Sequence, residues 1–443
     1  MVQQSTSGRV VTAVAVSNGN LLYAHAGETA WTAATNSSLT TPAFDASRLN
    51  FGTALNGELW YVDGVNYRRF DPATGIVDDW TASAGTMPID GAGNIPRLIE
   101  TWRGGVWLSG LIGQPYNWFM SAVGDPTNMD LAPLSPSSTD AIWGSASRQG
   151  EIADMVTGFI PFTDDIGFLG CTHSLWLFNG DPRAGGSIDL ISNSIGMAWG
   201  RAWCIDPYGT VYFMSNRMGI YTIAPGSQPQ RISQQIDNLL DHVDSGANTV
   251  SLCWSEREQG VHAYITPTVA AGAATHYFYE QRTGGWFQDV FSNPNHSPLC
   301  CCQFDGNSAE DRVELIGSFD GVVRYLDQNA SNDDGRIIQS SVIIGPISTD
   351  NLDELVIKEL QAVLGSDSGS VTYSVLAGTT AEQALAQSAR LTGTWTGGRN
   401  ATEFIRVASH VLYIGVSSDN PWRFEQCRAL IKTCGKIRRR SKD

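Results

Sequence analysis

A two-strand unit with an aromatic at its centre recurs along most of this chain, and few folds accommodate such a repeat. Gly57-Glu58-Leu59-Trp60-Tyr61-Val62 runs into a turn at Gly64 and on to Tyr67-Arg68-Arg69-Phe70. Phe168-Leu169-Gly170-Cys171 turns at Thr172-His173-Ser174 into Leu175-Trp176-Leu177-Phe178. Val211-Tyr212-Phe213-Met214 leads to Gly219-Ile220-Tyr221-Thr222-Ile223, and Glu314-Leu315-Ile316-Gly317 to Val322-Val323-Arg324-Tyr325-Leu326. Looser copies surround Leu22-Tyr23, Val106-Trp107-Leu108 and Ala263-Tyr264-Ile265. Short apolar runs separated by Gly, Asn or Asp turns read as hairpins. Their recurrence every 40 to 60 residues or so is the spacing of propeller blades, not of helical solenoids. The expectation is an all-β chain: a β-propeller of six or seven blades, with a C-terminal β-sandwich.

Charge supports a scaffold of short strands. Only 16% of the 443 residues are charged, against roughly 25% in ordinary domains, while Gly (46) and Trp (14) are frequent. Amphipathic helices are scarce. The two candidates are Ser233 to Val243, with Ser233 as its cap, and Thr380 to Arg390.

Blade-sized units follow in order: Phe51 to Trp80, Trp102 to Met120, Ile152 to Ile191, Trp199 to Ile232, Val250 to Phe291 and Leu299 to Leu326. The N-terminal hairpin, Val10 to Tyr23, supplies a seventh blade, completes the last one, or joins the C-terminal domain. Thr32 to Pro42 reads as a polar loop, and Gly124 to Gly150, with three prolines, as a long excursion. The texture changes after Asn329. Ile337 to Ile347, Leu352 to Val363, Ser370 to Val375, Glu403 to Val407, Val411 to Val416 and Cys427 to Thr433 alternate as sandwich strands do. The expected division is 1–330 propeller and 331–443 sandwich.

The net charge of −16 repels nucleic acid and anionic membrane. The exception is the end of the chain. Lys436, Arg438, Arg439, Arg440 and Lys442 against Asp443 give +5 − 1 = +4, leaving −16 − 4 = −20 on the rest. These five residues are the candidate partner-docking site; the alternative is a solvated tail. No run reaches the roughly 18 apolar residues needed to cross a bilayer, and residues 1–9 lack an apolar signal core.

No catalytic, cofactor or metal site is expected. Eight Cys are too few for a disulfide scaffold. In the Cys300-Cys301-Cys302 run a strand would turn the outer two to one face and Cys301 to the other. No His or Cys-x-x-Cys stands at zinc-ligand spacing, so these are expected to be buried, small apolar residues. Ser318-Phe319-Asp320-Gly321 and Ser417-Ser418-Asp419-Asn420-Pro421-Trp422 only partly match a sialidase-type Asp-box and read as β-turns. Asp78-Asp79, Asp164-Asp165 and Asp333-Asp334 are adjacent residues, and neighbours on a strand point to opposite faces, so none is an acid/base dyad by itself. Asp327 to Ile338 fails as a calcium loop, lacking Gly at position 6 and Glu at position 12. The seven His are scattered and read as satisfied structural residues. The competing reading is a carbohydrate-binding or glycoside-cleaving propeller, with Trp102, Trp107, Trp118 and Trp143 as sugar platforms.

Two stretches are more specific. Ser194-Ile195-Gly196 leads through Trp203-Cys204-Ile205-Asp206 and the pair at Val211 and Gly219 to Gln228-Pro229-Gln230-Arg231-Ile232-Ser233, which reads as one whole blade with an outer first strand. Tyr413-Ile414-Gly415-Val416 and Pro421-Trp422-Arg423-Phe424-Glu425 precede the basic end. These stretches resemble the nozzle proteins of short-tailed bacteriophages (tail tubular protein B, or packaged-DNA stabilisation proteins), in which G-x-Y-x-I, a proline turn and P-x-R-I-S recur. The resemblance covers the propeller body and, more weakly, the sandwich. It implies a non-enzymatic structural protein of the virion tail, assembled in the host bacterial cytoplasm as a homo-oligomer, a hexameric ring. Its implied partners are the tail adaptor ring, tail fibre or needle proteins, and double-stranded DNA passing through the lumen without sequence-specific binding. No cofactor and no membrane are implied.

Overall fold

The computed structural model describes residues 2–5, 8–36, 51–145, 154–241, 243–244, 246–268, 274–291, 293–306, 312–327, 330, 332–349 and 353–434. The chain divides into two compact units, Met1–Leu326 and Asp327–Asp443, the division falling slightly before 330/331.

The first unit is a propeller of seven consecutive sheets, antiparallel except where Thr35–Asn36 pairs in parallel with Ile76–Asp79. Blade I holds Val2–Ser5, Gly8–Ser17, Asn20–His25 and Thr32–Ala33; blade II holds Thr35–Asn36, Phe51–Leu55, Glu58–Val62, Tyr67–Asp71 and Ile76–Asp79. Blade III holds Leu98–Trp102, Gly105–Ser109, Asn117–Met120 and Ile142–Ser145, and blade IV Val156–Pro161, Ile166–Cys171, Leu175–Asn179 and Ser187–Ser192. Blade V holds Trp203–Ile205, Val211–Met214, Ile220–Ile223 and Gln230–Arg231, and blade VI Asn248–Ser255, Gly260–Pro267, Thr275–Glu280 and Gly285–Asp289. Blade VII has three strands: Pro298–Asp305, Arg312–Ser318 and Val323–Tyr325. The N-terminal hairpin therefore builds its own blade and joins neither the last blade nor the second unit. Within Thr32 to Pro42, Thr32–Ala33 and Thr35–Asn36 are edge strands of blades I and II rather than loop. The ring returns on itself where Ser17 Oγ of blade I lies against Gly321 of blade VII, leaving no room there for a β-carbon.

The aromatic-centred strand pairs of blades II to V bury rings between blades, because side chains of a radial sheet alternate toward the two neighbouring blades, whereas Tyr325 of blade VII is exposed. Leu21 with Tyr61 and Phe70 fills the I–II seam, and Trp60 with Val106 and Leu108 the II–III seam. Trp107, Trp118, Phe159 and Phe178 fill III–IV, Phe168 with Phe213 fills IV–V, and Tyr212 with Trp254 fills V–VI.

Three local expectations are corrected. Gly124 to Gly150 is not all excursion, because Ile142–Ser145 forms the fourth strand of blade III and Asn128–Met129 pairs in parallel with Ala84–Gly85. The helix expected from Ser233 shortens to Asp237–Leu240, and Ser233 does not cap it. The Ser233 hydroxyl instead accepts from the Ile220 amide and donates to Asp237, tying the helix back to its blade. In blade V the first strand, Trp203–Ile205, is not the outer one. It packs against Asn248–Ser255, the first strand of blade VI, which in turn packs against Pro298–Asp305, so first strands meet around the ring.

The second unit is a sandwich. One sheet orders Ser340–Ile347, Val411–Ser418, Val371–Gly378 and Leu391–Trp395; the other sets Glu354–Leu364 between Phe424–Cys434 and Glu403–Ser409. Leu355, Ile357, Leu360, Tyr373, Val375, Trp395, Leu412 and Ile414 interleave between them. The second expected helix forms as Ala381–Ala386, its first turn capped by the Thr380 hydroxyl, which accepts from the Gln383 amide.

Candidate functional site

The five basic residues that the sequence singles out, Lys436, Arg438, Arg439, Arg440 and Lys442, lie outside the described residues. The other weighed candidates resolve into structural contacts. Asp79 pairs with the buried Arg68 and Asp78 with Arg69. Asp165 and the Asp164 carbonyl both hold Arg103. Asp320 takes Arg324 on both carboxylate oxygens and accepts from the Val322 amide, as a β-turn Asp does. Trp422, at the end of the second Asp-box-like stretch, donates to Ser340 Oγ at 2.6 Å. Asp333 lies on a short hairpin, paired across to Arg336. Trp102, Trp107 and Trp118 are at most 3% exposed and Trp143 is half-buried, so the first three offer no face to a sugar. Among the described residues no group of three or more His, Cys, Asp or Glu is arranged to hold a metal ion, and no helix is long and apolar enough to cross a membrane.

The cysteine triplet departs from expectation. Cys301 turns toward blade VI, where its thiol lies 3.0 Å from Ser251 Oγ, but Cys300 and Cys302 are exposed on the other face. The alternation of the strand is as read; the burial is not, because no apolar cluster covers that face of blade VII among the described residues.

Two constellations are invisible to local sequence reading. The first ties three blades together near the inner strands. Gly200, at φ +82°, donates its amide to Thr157 and turns the chain so that Arg201 points away from blade V. Arg201 grips Glu100 of blade III through Nε to Oε1 (2.8 Å) and Nη2 to Oε2 (2.9 Å), and donates to the Gly52 carbonyl of blade II. Burial pushes the Glu100 pKa up, while Arg201 opposes the shift. A carboxylate held on both oxygens by a guanidinium is a brace rather than a proton donor.

The second lies between blades VI and VII. His262, 4% exposed, donates through Nδ1 to Asp289 (2.8 Å) and through Nε2 to Glu258 (3.0 Å), with Glu314 of blade VII 3.6 Å from Nε2. Burial alone would lower its pKa; the carboxylate partners overcome that and hold it at about 10, so His262 is an imidazolium. Beside it, His276 is buried with neither ring nitrogen hydrogen-bonded, packed on Tyr264 and Phe291. Burial drops its pKa to about 4, so it is neutral. The reading of every His as satisfied therefore fails at His276.

The blade V motif forms a closed unit. The Arg231 guanidinium lies over the Tyr221 ring and bonds Asp237 at 2.8 Å, while Ser233 joins Ile220 to Asp237. A β-carbon at Gly219 would sit 2.9 Å from both Arg231 Nε and the Tyr221 ring. Gly219→Ala is expected to cost about 1–3 kcal/mol by overpacking, measured by urea denaturation. An unchanged midpoint would show that Arg231 simply moves aside.

No family model matches the chain, and no curated protein matches it. Several solved structures share the general architecture at low similarity. An extracellular domain of a hybrid two-component system of B. thetaiotaomicron is 11% identical with a TM-score of 0.43, covering 81% of this chain and 42% of that one. A second such domain from the same organism is 10% identical with a TM-score of 0.45, covering 89% and 47%. PorZ, a surface component of the type-IX secretion system of Porphyromonas gingivalis, is 13% identical with a TM-score of 0.43, covering 98% and 59%. The chain thus spans less than half the length of the two sensor domains. Likenesses of this order carry no argument about activity or partners.

Proposed function

We propose that this chain is a structural subunit of a short bacteriophage tail: a nozzle protein whose copies form a ring, most simply a hexamer, that holds back packaged DNA and passes it at ejection. The observation that supports the reading best is the blade V motif, whose Gly219, Tyr221, Arg231 and Ser233 each have a defined place in one interlocked turn. The nozzle resemblance rests on these positions, which in this chain are locked to one another. The weighed acidic candidates at 78–79, 165 and 320 are neutralised by arginines, which favours a scaffold over a hydrolase.

Charge fits the same role. Six copies carry 6 × (−16) = −96, and duplex DNA carries one negative charge per ~1.7 Å. A wall of like sign does not hold DNA within a Debye length of about 8 Å. The basic tail, Lys436 to Lys442, is then the segment that docks on the acidic or phosphate-bearing neighbour in the tail.

Electron microscopy of the purified chain at increasing concentration tests the proposal. Closed rings with a central opening are expected. A chain lacking residues 436–443 should keep its melting temperature and still form rings, but lose binding to the adaptor. Monomers at all concentrations would overturn the ring; unchanged adaptor binding would overturn the role of the tail.

A further inference from the structure

The seams of the propeller are not alike. Five of them, from I–II to V–VI, each hold a cluster of buried apolar side chains. The seam between blades VI and VII holds none among the described residues. Among the described residues of blade VII the buried apolar side chains are Pro298, Phe304 and Ile316, and the blade has three strands where its neighbour has four. Its other face leaves Cys300 and Cys302 exposed toward the closing side of the ring.

Polar contacts hold blade VII instead. Ser251 Oγ accepts from the Cys301 amide at 3.1 Å, and Thr266 Oγ1 donates to the Pro298 carbonyl at 2.5 Å. Arg312 of blade VII stands 4.0 Å from Glu256 of blade VI, both largely exposed. At the centre lies His262. Its positive charge faces Asp289 and Glu258 on its own blade and Glu314 across the seam, with His276, Tyr264, Cys253 and Cys301 the other titratable groups around it. Glu314 Oε2 is buried and makes no hydrogen bond; burial raises the Glu314 pKa, and the imidazolium charge is the larger of the two influences that oppose it, the other being a hydrogen bond with Ser255.

We propose that blade VII is the gate of the ring: a unit of low local stability, latched to blade VI by the His262–Glu314 clasp, that opens while blades I to VI stay closed. Local stability follows buried apolar contact, and blade VII contributes no residue to the apolar clusters that fill the other seams. Charged and hydrogen-bonded contacts break in a short distance and are replaced by water on opening, whereas an apolar seam resists parting over its whole area. Blade VII is also the last blade before the second unit, which begins at Asp327. The inference stands on the seams alone and does not depend on what the ring assembles into.

Hydrogen exchange read by mass spectrometry on the full chain at pH 7 tests it. Arg312–Ser318 should exchange about 10-fold or more faster than Ile166–Cys171 of blade IV. His262→Gln should accelerate exchange in blade VII further and leave blade IV unchanged. Alkylation by an uncharged reagent gives a second readout: Cys300 and Cys302 react at once, Cys301 at the rate of gate opening, and Cys171 only on global unfolding. His262→Gln should speed Cys301, and Cys253 beside it at the seam, and leave Cys171 unchanged. Equal protection of blades IV and VII, or acceleration spread evenly over all blades in the variant, would overturn the gate.

Discussion

Replacing Phe159 by Ala should destabilise the propeller by about 3–5 kcal/mol, the usual cost of deleting a large buried aromatic. Phe159 is 1% exposed at the III–IV seam. It stacks on Trp107 with ring centroids 4.7 Å apart and an interplanar angle of 19°, and meets Trp102 and Phe178 edge-on at 5.3 and 5.6 Å. Its removal opens a space bounded by aromatic rings, which are stiff and collapse poorly into a void. Phe178 also meets Trp102 and Trp118, so the loss reaches the whole cluster. Guanidinium denaturation followed by Trp fluorescence measures the effect. Phe159→Leu should recover part of the loss by restoring apolar volume. A destabilisation below about 1 kcal/mol would mean that the seam repacks freely.

The second large effect is a stability maximum in pH produced by two histidines of opposite behaviour in one blade. His262 has its folded pKa raised to about 10, against about 6.5 unfolded. Its contribution is fully present below pH ~6.5 and is lost as pH rises through the folded value, because only the native state keeps the proton in that window. His276 has its folded pKa lowered to about 4. Its contribution is present above pH ~6.5 and is lost as pH falls toward 4, because the unfolded chain binds the proton first. Each slope approaches 1.4 kcal/mol per pH unit, so either limb is worth a few kcal/mol over its range. Urea denaturation between pH 4.5 and 9.5 should therefore give greatest stability near pH 6.5. His276→Phe should flatten the acid limb by about 1 kcal/mol per pH unit and leave the alkaline limb intact. His262→Gln should do the reverse, at lower stability throughout. Variant profiles parallel to the native one would rule out this assignment.

Much of the fold was legible because hairpins are local. Alternation and turn glycines around Trp60, Trp176, Tyr212 and Ile316 mark strand pairs that all appear in their expected places. Six of the sandwich strands were legible for the same reason, but Leu391–Trp395, which pairs with Val371–Gly378, was not. The candidate site was not. Arg201 meets Glu100 across 101 residues of chain, and His262 meets Glu314 across blades. Nothing near either residue in the sequence records its partner. The Cys triplet shows the boundary sharply: period-2 geometry gave the face of each thiol correctly, but what covers each face depends on a neighbouring blade.

Periodicity and turn chemistry alone thus determined the class, the succession of blades and the change to a sandwich, since these follow from which way each side chain points along a strand. Tertiary structure decided the number of blades, the inward position of the first strands of blades V to VII, and the replacement of an apolar seam by a charged one at blade VII. Those depend on which surfaces are brought together after the hairpins have formed, and burial and charge compensation are properties of the meeting rather than of either segment.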